Sequence, residues 1–194
     1  MALRRGFKTE ANTLGAEIRR ELGLRALDRL DPFALAAHLA IPVAPLSQLR
    51  SAAPAAAYLL DVEPEAFSAV TVFQRRRRQI VYNDRHSIGR QHSSVGHETS
   101  HGLLLHEPQP ALDHRGCRLW DQEAEDEADW LAGVLLVPED AALAVARGGW
   151  MTEEAAAVHF GVSGPMLTWR LNMTGARLRV QRTRAMSGAG GRRH

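Results

Sequence analysis

The sequence predicts an α+β fold, and three observations carry that reading. Two segments rich in β-branched and aromatic residues, Phe67-Ser68-Ala69-Val70-Thr71-Val72-Phe73 and Gln79-Ile80-Val81-Tyr82, flank an arginine run and read as an antiparallel hairpin. Two long stretches with helical spacing of apolar residues follow, over about residues 87–106 and 120–137. Further helical stretches lie on both sides. A chain of 194 residues with 45% hydrophobic and 24% charged content can bury a core and has the composition of an ordinary globular protein.

Taken in order, residues 9–30 form an amphipathic helix with Leu14, Ile18 and Leu22 inward, Leu27 and Leu30 extending the stripe, and Glu17, Arg20 and Glu21 outward. Asp31-Pro32 restarts a second helix, with Asp at the cap and Pro in the first turn, running Phe33 to Leu39. Ile41-Pro42-Val43 reads as a short strand, Ser51 to Pro54 as a loop, and Tyr58 to Asp61 as a strand or a helix end. In the helix from Ser87 to His106, Ile88, Val95, Leu103, Leu104 and Leu105 imply extensive burial, and Pro108 and Pro110 stop it. The helix from Trp120 closes at Pro138. Glu139 to Ala146 is a short helix broken at Gly148-Gly149. Thr152 then caps Glu153 to Phe160, and Gly161-Val162-Ser163 turns into Pro165 to Met173. We therefore expect a main domain over 1–150, a helix-turn-helix-like extension over 151–180, and a basic tail over 181–194 whose Ser187-Gly188-Ala189-Gly190-Gly191 cannot pack a core.

The bulk numbers narrow the functional classes. A net charge of +2 is too small to argue for nucleic acid. Arg75-Arg76-Arg77-Arg78 reads as a solvated hairpin turn. Of the 24 basic residues only Lys8 is lysine, which we attribute to coding bias because the arginines are spread along the whole chain. The single cysteine, Cys117, excludes an intrachain disulfide and suggests a reducing cytoplasm. Met1 to Lys8 has no apolar core of a signal peptide, and no apolar run is long enough to span a membrane.

The chemistry is concentrated in His97-Glu98-Thr99-Ser100-His101. Imidazoles four residues apart share one face of a helix, within reach of one Zn²⁺. Glu98 is adjacent, placed to act as a base toward a water activated there. A third protein ligand is needed. The histidine-rich alternative fails, because position 107 is Glu and position 104 is Leu. His106 lies too far round the helix from His101 to share the ion. His114 and Cys117 are loop-borne options. The acidic run Glu123-Ala124-Glu125-Asp126-Glu127-Ala128-Asp129 offers better ligands, although a helix dipole alone favours carboxylates in a first turn. Glu125 and Asp129 share a face with Ala132 and Leu136, so Glu125 is favoured as ligand and Asp129 as the group that orients a ligating His. Glu127 and Glu123 remain as alternates.

With these residues the chain resembles the ImmA/IrrE family of zinc metallopeptidases over roughly residues 10–175. The resemblance rests on Ile80-Val81-Tyr82-Asn83, Arg90-Gln91, His97-Glu98-x-x-His101-Gly102-Leu103-Leu104-Leu105-His106, and Glu125-x-x-Ala128-Asp129-x-x-Ala132-x-x-Leu135-Leu136-x-Pro138. It implies His97, His101 and Glu125 as metal ligands and Glu98 as the base. It implies a zincin-like, thermolysin-like minimal core with a twisted sheet against the two motif helices. The family usually has Asn at the position of Asp129; Asp serves as well to hold a histidine. Family members act in bacterial cytoplasm by cutting or releasing a helix-turn-helix repressor of mobile-element or damage-response genes, so a protein substrate of that kind is the expected partner. Zn²⁺ is the expected cofactor, with Mn²⁺ the alternative.

Arg90, two turns before His97, can orient substrate or pair with Glu125 or Asp129. Tyr82, His86 and His106 are the candidates for an oxyanion donor. Two other readings compete. Residues 152–173 suggest DNA binding, but the second helix carries only Arg170 as a base, so direct DNA contact is the weaker reading. A zinc-stabilised module that sequesters a partner without cleaving it is the other.

Overall fold

The computed structural model describes residues 3–75, 77–106, 121–148 and 150–190. Among them, three strands and nine α-helices form a mixed α+β architecture in the order α1 (Phe7–Glu21), α2 (Pro32–His38), β1 (Val43–Pro45), α3 (Pro54–Asp61), β2 (Ala69–Gln74), β3 (Arg77–Tyr82), α4 (Ile88–Leu103), α5 (Gln122–Leu136), α6 (Glu139–Arg147), α7 (Glu153–Phe160), α8 (Gly164–Met173) and α9 (Ala176–Gly190). The expected hairpin is present: β2 runs antiparallel to β3 with Thr71 opposite Ile80. On the other side β1 pairs parallel to β3, with Val43 opposite Ile80, so β3 is central and β2 is an edge.

Side chains alternate across the sheet. One face rests on α4. On the other, Val81 packs with Leu46, Ala56 and Leu60 to make a small second core under α3. The main core lies beyond α4, where α5 is wrapped by α1, α7 and α8 through Phe7, Ile18, Leu131, Leu135, Phe160, Leu167 and Leu171. The helices approach closely through glycine. A Cβ on Gly15 of α1 would stand 2.4 Å from Val134 Cγ1, and one on Gly133 would stand 2.7 Å from the Trp169 ring.

The carboxyl end of α5 is secured from two sides. Arg19 donates to the Leu135 carbonyl at 2.6 Å from α1, and Arg170 donates through Nε to the Val137 carbonyl at 2.9 Å from α8. Both guanidiniums are buried. They satisfy carbonyls that a helix end leaves orphaned and oppose the negative end of its dipole. Burial pushes the Arg170 pKa down to about 10, which still leaves it charged at neutral pH.

Several expectations are corrected here. The first helix stops at Glu21, because Gly23 turns the chain at φ 71°, and Leu27 is exposed while Leu30 is buried through a separate segment. Tyr58 to Asp61 belongs to α3, which begins at Pro54 inside the stretch read as a loop. α4 is less buried than expected: it ends at Leu103, and Ile88 and Leu105 are exposed. α9 runs through the boundary drawn at residue 181: Ala176 and Val180 are buried, and the good helix formers Gln181, Arg182, Arg184, Ala185 and Met186 continue it. No helix among the described residues is long and apolar enough to cross a membrane.

Candidate metal centre

The turn from β3 into α4 sets the azimuth of the motif helix. Asn83 is fully buried; its Nδ2 donates to the carbonyls of Pro64 at 2.8 Å and Phe67 at 3.0 Å, and its Oδ1 accepts from Arg85 N at 3.0 Å. Gln91 donates to the carbonyls of Asp84 and His86. These amides explain in physical terms why Asn83 and Gln91 belong to the motif: they staple the strand end to the first turn of α4. Val95, Gly96, Thr99 and Ser100 then face the interior, with a Cβ on Gly96 meeting Leu136 Cδ1 at 3.0 Å. His97, Glu98 and His101 are left on the sides that meet α5 and β2.

Glu125 stands in the first turn of α5, whose N-cap Asp121 accepts from Glu123 N at 3.1 Å and Ala124 N at 3.2 Å. There it meets both histidines. His97 Nε2 and His101 Nε2 are 3.0 Å apart, His97 Nε2 is 3.3 Å from Glu125 Oε2, and His101 Nε2 is 3.6 Å from Glu125 Oε1. One donor atom from each residue lies within 4.8 Å of the others. Tetrahedral ligands at about 2.0–2.1 Å from zinc would stand roughly 3.3–3.4 Å from one another. The spacing and the donor set (two imidazoles and one carboxylate) therefore fit a divalent ion with a fourth position free for chemistry.

Charge in the cluster follows from its neighbours. Burial drives His97 down, but hydrogen bonds to Asp129 and Glu125 together outweigh it and hold its pKa up at about 10. Asp129 Oδ1 is 2.8 Å from His97 Nδ1, the nitrogen turned away from the cluster. Burial, and then the charge on His97, push His101 the other way. Burial raises the Glu98 carboxyl, against the pull of a hydrogen bond from Thr71 Oγ1 on the edge strand at 2.5 Å.

The remaining expected residues fall elsewhere. Arg90 does not reach Glu125 or Asp129. It pairs with Glu65 and donates to Ser68 Oγ at 3.0 Å, because the first turn of α4 lies over the segment leading into β2. Tyr82 packs its ring edge on Phe33, and His86 lies 2.9 Å from the Pro64 carbonyl through Nε2. Glu123 is exposed, and Glu127 is buried facing His106 and Arg4, so neither alternate joins the cluster. His114 and Cys117 lie outside the described residues. Arg170 is 0% exposed, so the one base of the second helix of the helix-turn-helix-like segment is inside the protein.

Two residues take places other than those the sequence assigned them. Arg78 belongs to β3 rather than to a solvated turn. Its guanidinium stacks 5.1 Å from the Phe73 ring and lies over Gly102, where a Cβ would stand 2.3 Å from its Nη1. Burial lowers its pKa and the nearby Glu98 carboxylate raises it, so a cation stands near Glu98. The alternation of β3 could have revealed it, since Arg78 is in phase with Ile80 and Tyr82. The second is His106, which bends back so that its Nδ1 is 2.9 Å from His101 Nδ1. A helical wheel could not show this, because the helix has ended.

No curated protein and no solved structure matches the chain. Residues 56–172, more than half of the sequence, match the peptidase family M78, described as the IrrE N-terminal-like domain. That span contains β2, β3 and all of the cluster. The chain belongs to this peptidase family.

Proposed function

We propose that the protein is a zinc-dependent endopeptidase in which His97, His101 and Glu125 hold the ion, Glu98 is the catalytic base and Asp129 orients His97. The observation that carries this reading is the convergence of three donor atoms within 4.8 Å beside the half-buried Glu98 carboxylate. When bound, the ion would supply Lewis acidity, lowering the pKa of a water towards about 7 and polarising the scissile carbonyl. Glu98 accepts the proton of the attacking water and delivers it to the leaving amine. Thr71 keeps one carboxylate oxygen engaged, so the other is directed to that exchange.

The sheet explains how a peptide would be presented. Among the described residues no strand pairs with the outer edge of β2. An extended segment can therefore add to β2 by main-chain hydrogen bonds. Thr71 lies on that strand and touches Glu98, so a peptide in that register passes the base. A small sheet with an unpaired edge, set on the two-histidine helix with the carboxylate helix packed beside it, supports the zincin-like core we propose. The substrate we propose, on the strength of the family resemblance, is a cytoplasmic helix-turn-helix repressor of a mobile element or stress response.

Incubation with the repressor encoded beside this gene, with and without chelator and read by product mass, tests the activity. Glu98→Gln should lower cleavage by about 10²–10⁴-fold with bound metal retained. Cleavage at the wild-type rate by that variant would sink the peptidase reading. Metal-dependent capture of an intact repressor by the wild type would replace it with a binding module.

A further inference from the structure

The two histidines of the cluster are backed differently. His97 leans on Asp129, a carboxylate whose side chain is 54% exposed. His101 leans on another histidine. The chain is bent to bring it there: α4 is capped at Leu104, Leu105 takes the left-handed conformation at φ 56°, Leu105 N donates to the Gly102 carbonyl at 3.2 Å and His106 N to the His101 carbonyl at 3.1 Å. These are the paired bonds of a Schellman turn, in which glycine is the usual occupant of the left-handed position. Leu105 is 82% exposed, so packing does not explain a leucine in that strained conformation. What the turn accomplishes is to fold His106 under His101. Beyond it, His106 Nε2 is 3.4 Å from Glu127 Oε2, and Glu127 Oε1 is 2.8 Å from Arg4 Nε.

We propose that His106 and Glu127 are positioning residues of the metal centre, a hydrogen-bonded chain that locks His101 in the tautomer presenting Nε2 to the ion. The inference rests on the metal-site reading above. Each proton then has only one place. If Nε2 of His101 gives its lone pair to the ion, its proton is on Nδ1 and is donated to Nδ1 of His106. His106 must accept there, so its own proton is on Nε2 and is donated to the Glu127 carboxylate. Glu127 is buried, and Arg4 faces its other oxygen. A ligand held in this way has a fixed ring orientation and a more basic nitrogen.

The test is zinc affinity, measured by chelator competition, alongside melting of the metal-free protein. His106→Leu removes the acceptor and should weaken zinc about 10–100-fold. His106→Asn restores an acceptor oxygen near the place of Nδ1 and should recover most of that loss. Glu127→Gln should lose less than His106→Leu. Wild-type affinity in both His106 variants would overturn the proposal. So would an equal loss in both accompanied by a lower metal-free melting temperature, since that marks packing rather than a hydrogen bond. His101→Ala separates the two readings: if it binds zinc like the wild type, the metal site itself is wrong, whereas if it loses zinc while His106→Leu does not, only the chain is wrong.

Discussion

α4 and α5 contribute to one cluster, yet they are held in place by different physics. α4 is a polar helix: five of its residues are buried, three of them His92, Thr99 and Ser100. Its site residues are aimed one at a time, His97 by Asp129, Glu98 by Thr71 and His101 by His106. In α5, ten residues are buried, and Glu125 sits at the end of a rod gripped by the main core and capped by two buried arginines. Thr71 and His106 therefore tune individual groups on α4, whereas Glu125 is placed by everything downstream of it. The two helices should fail in different ways, and mutation can show it.

On unfolding free energy, the largest effect belongs to the dry helix. Leu131→Ala deletes a fully buried side chain and should cost about 2–5 kcal/mol in urea unfolding. A value under 1 kcal/mol would mean that α5 is not gripped as described. Gly133→Ala comes next. Its new Cβ meets the Trp169 ring, and overpacking of this kind costs about 1–3 kcal/mol. The contacts that aim the side chains of α4 should barely register on the same scale. Asp129→Ala, at an exposed position, should leave stability within about 0.5 kcal/mol. Its effect should appear instead in zinc affinity, lowered by about 10–100-fold. Asp129 stands on α5 but aims a side chain of α4, so equal losses of stability at Leu131 and Asp129 would erase the distinction between how α5 is gripped and how the groups of α4 are aimed.

How legible this was from sequence follows the same division. The hairpin, α2, α4 to α8 and the trio His97, His101 and Glu125 depend on local pattern: period-two alternation, caps, and ligands at fixed helical spacing. Asp129 could be placed because it shares a helical face with Glu125. Arg90 was misjudged because sequence spacing carries it along α4 but says nothing of Glu65, which arrives from another segment. The left-handed Leu105 was illegible, since a leucine gives no sign of a positive φ, and with it the place of His106. The arginines read as coding bias include two, Arg19 and Arg170, that the interior requires. Only a packed structure shows that their guanidiniums end a helix.

The family match begins at residue 56, but α5 needs what lies before it. α1 covers one side of α5 through Gly15 against Val134, sends Arg19 to its last turn, and is preceded by Arg4 against Glu127. A fragment cut at the shared boundary would keep every metal donor and still hydrate the back of the helix that carries one of them. The catalytic signature is thus shorter than the cooperative folding unit that makes it usable.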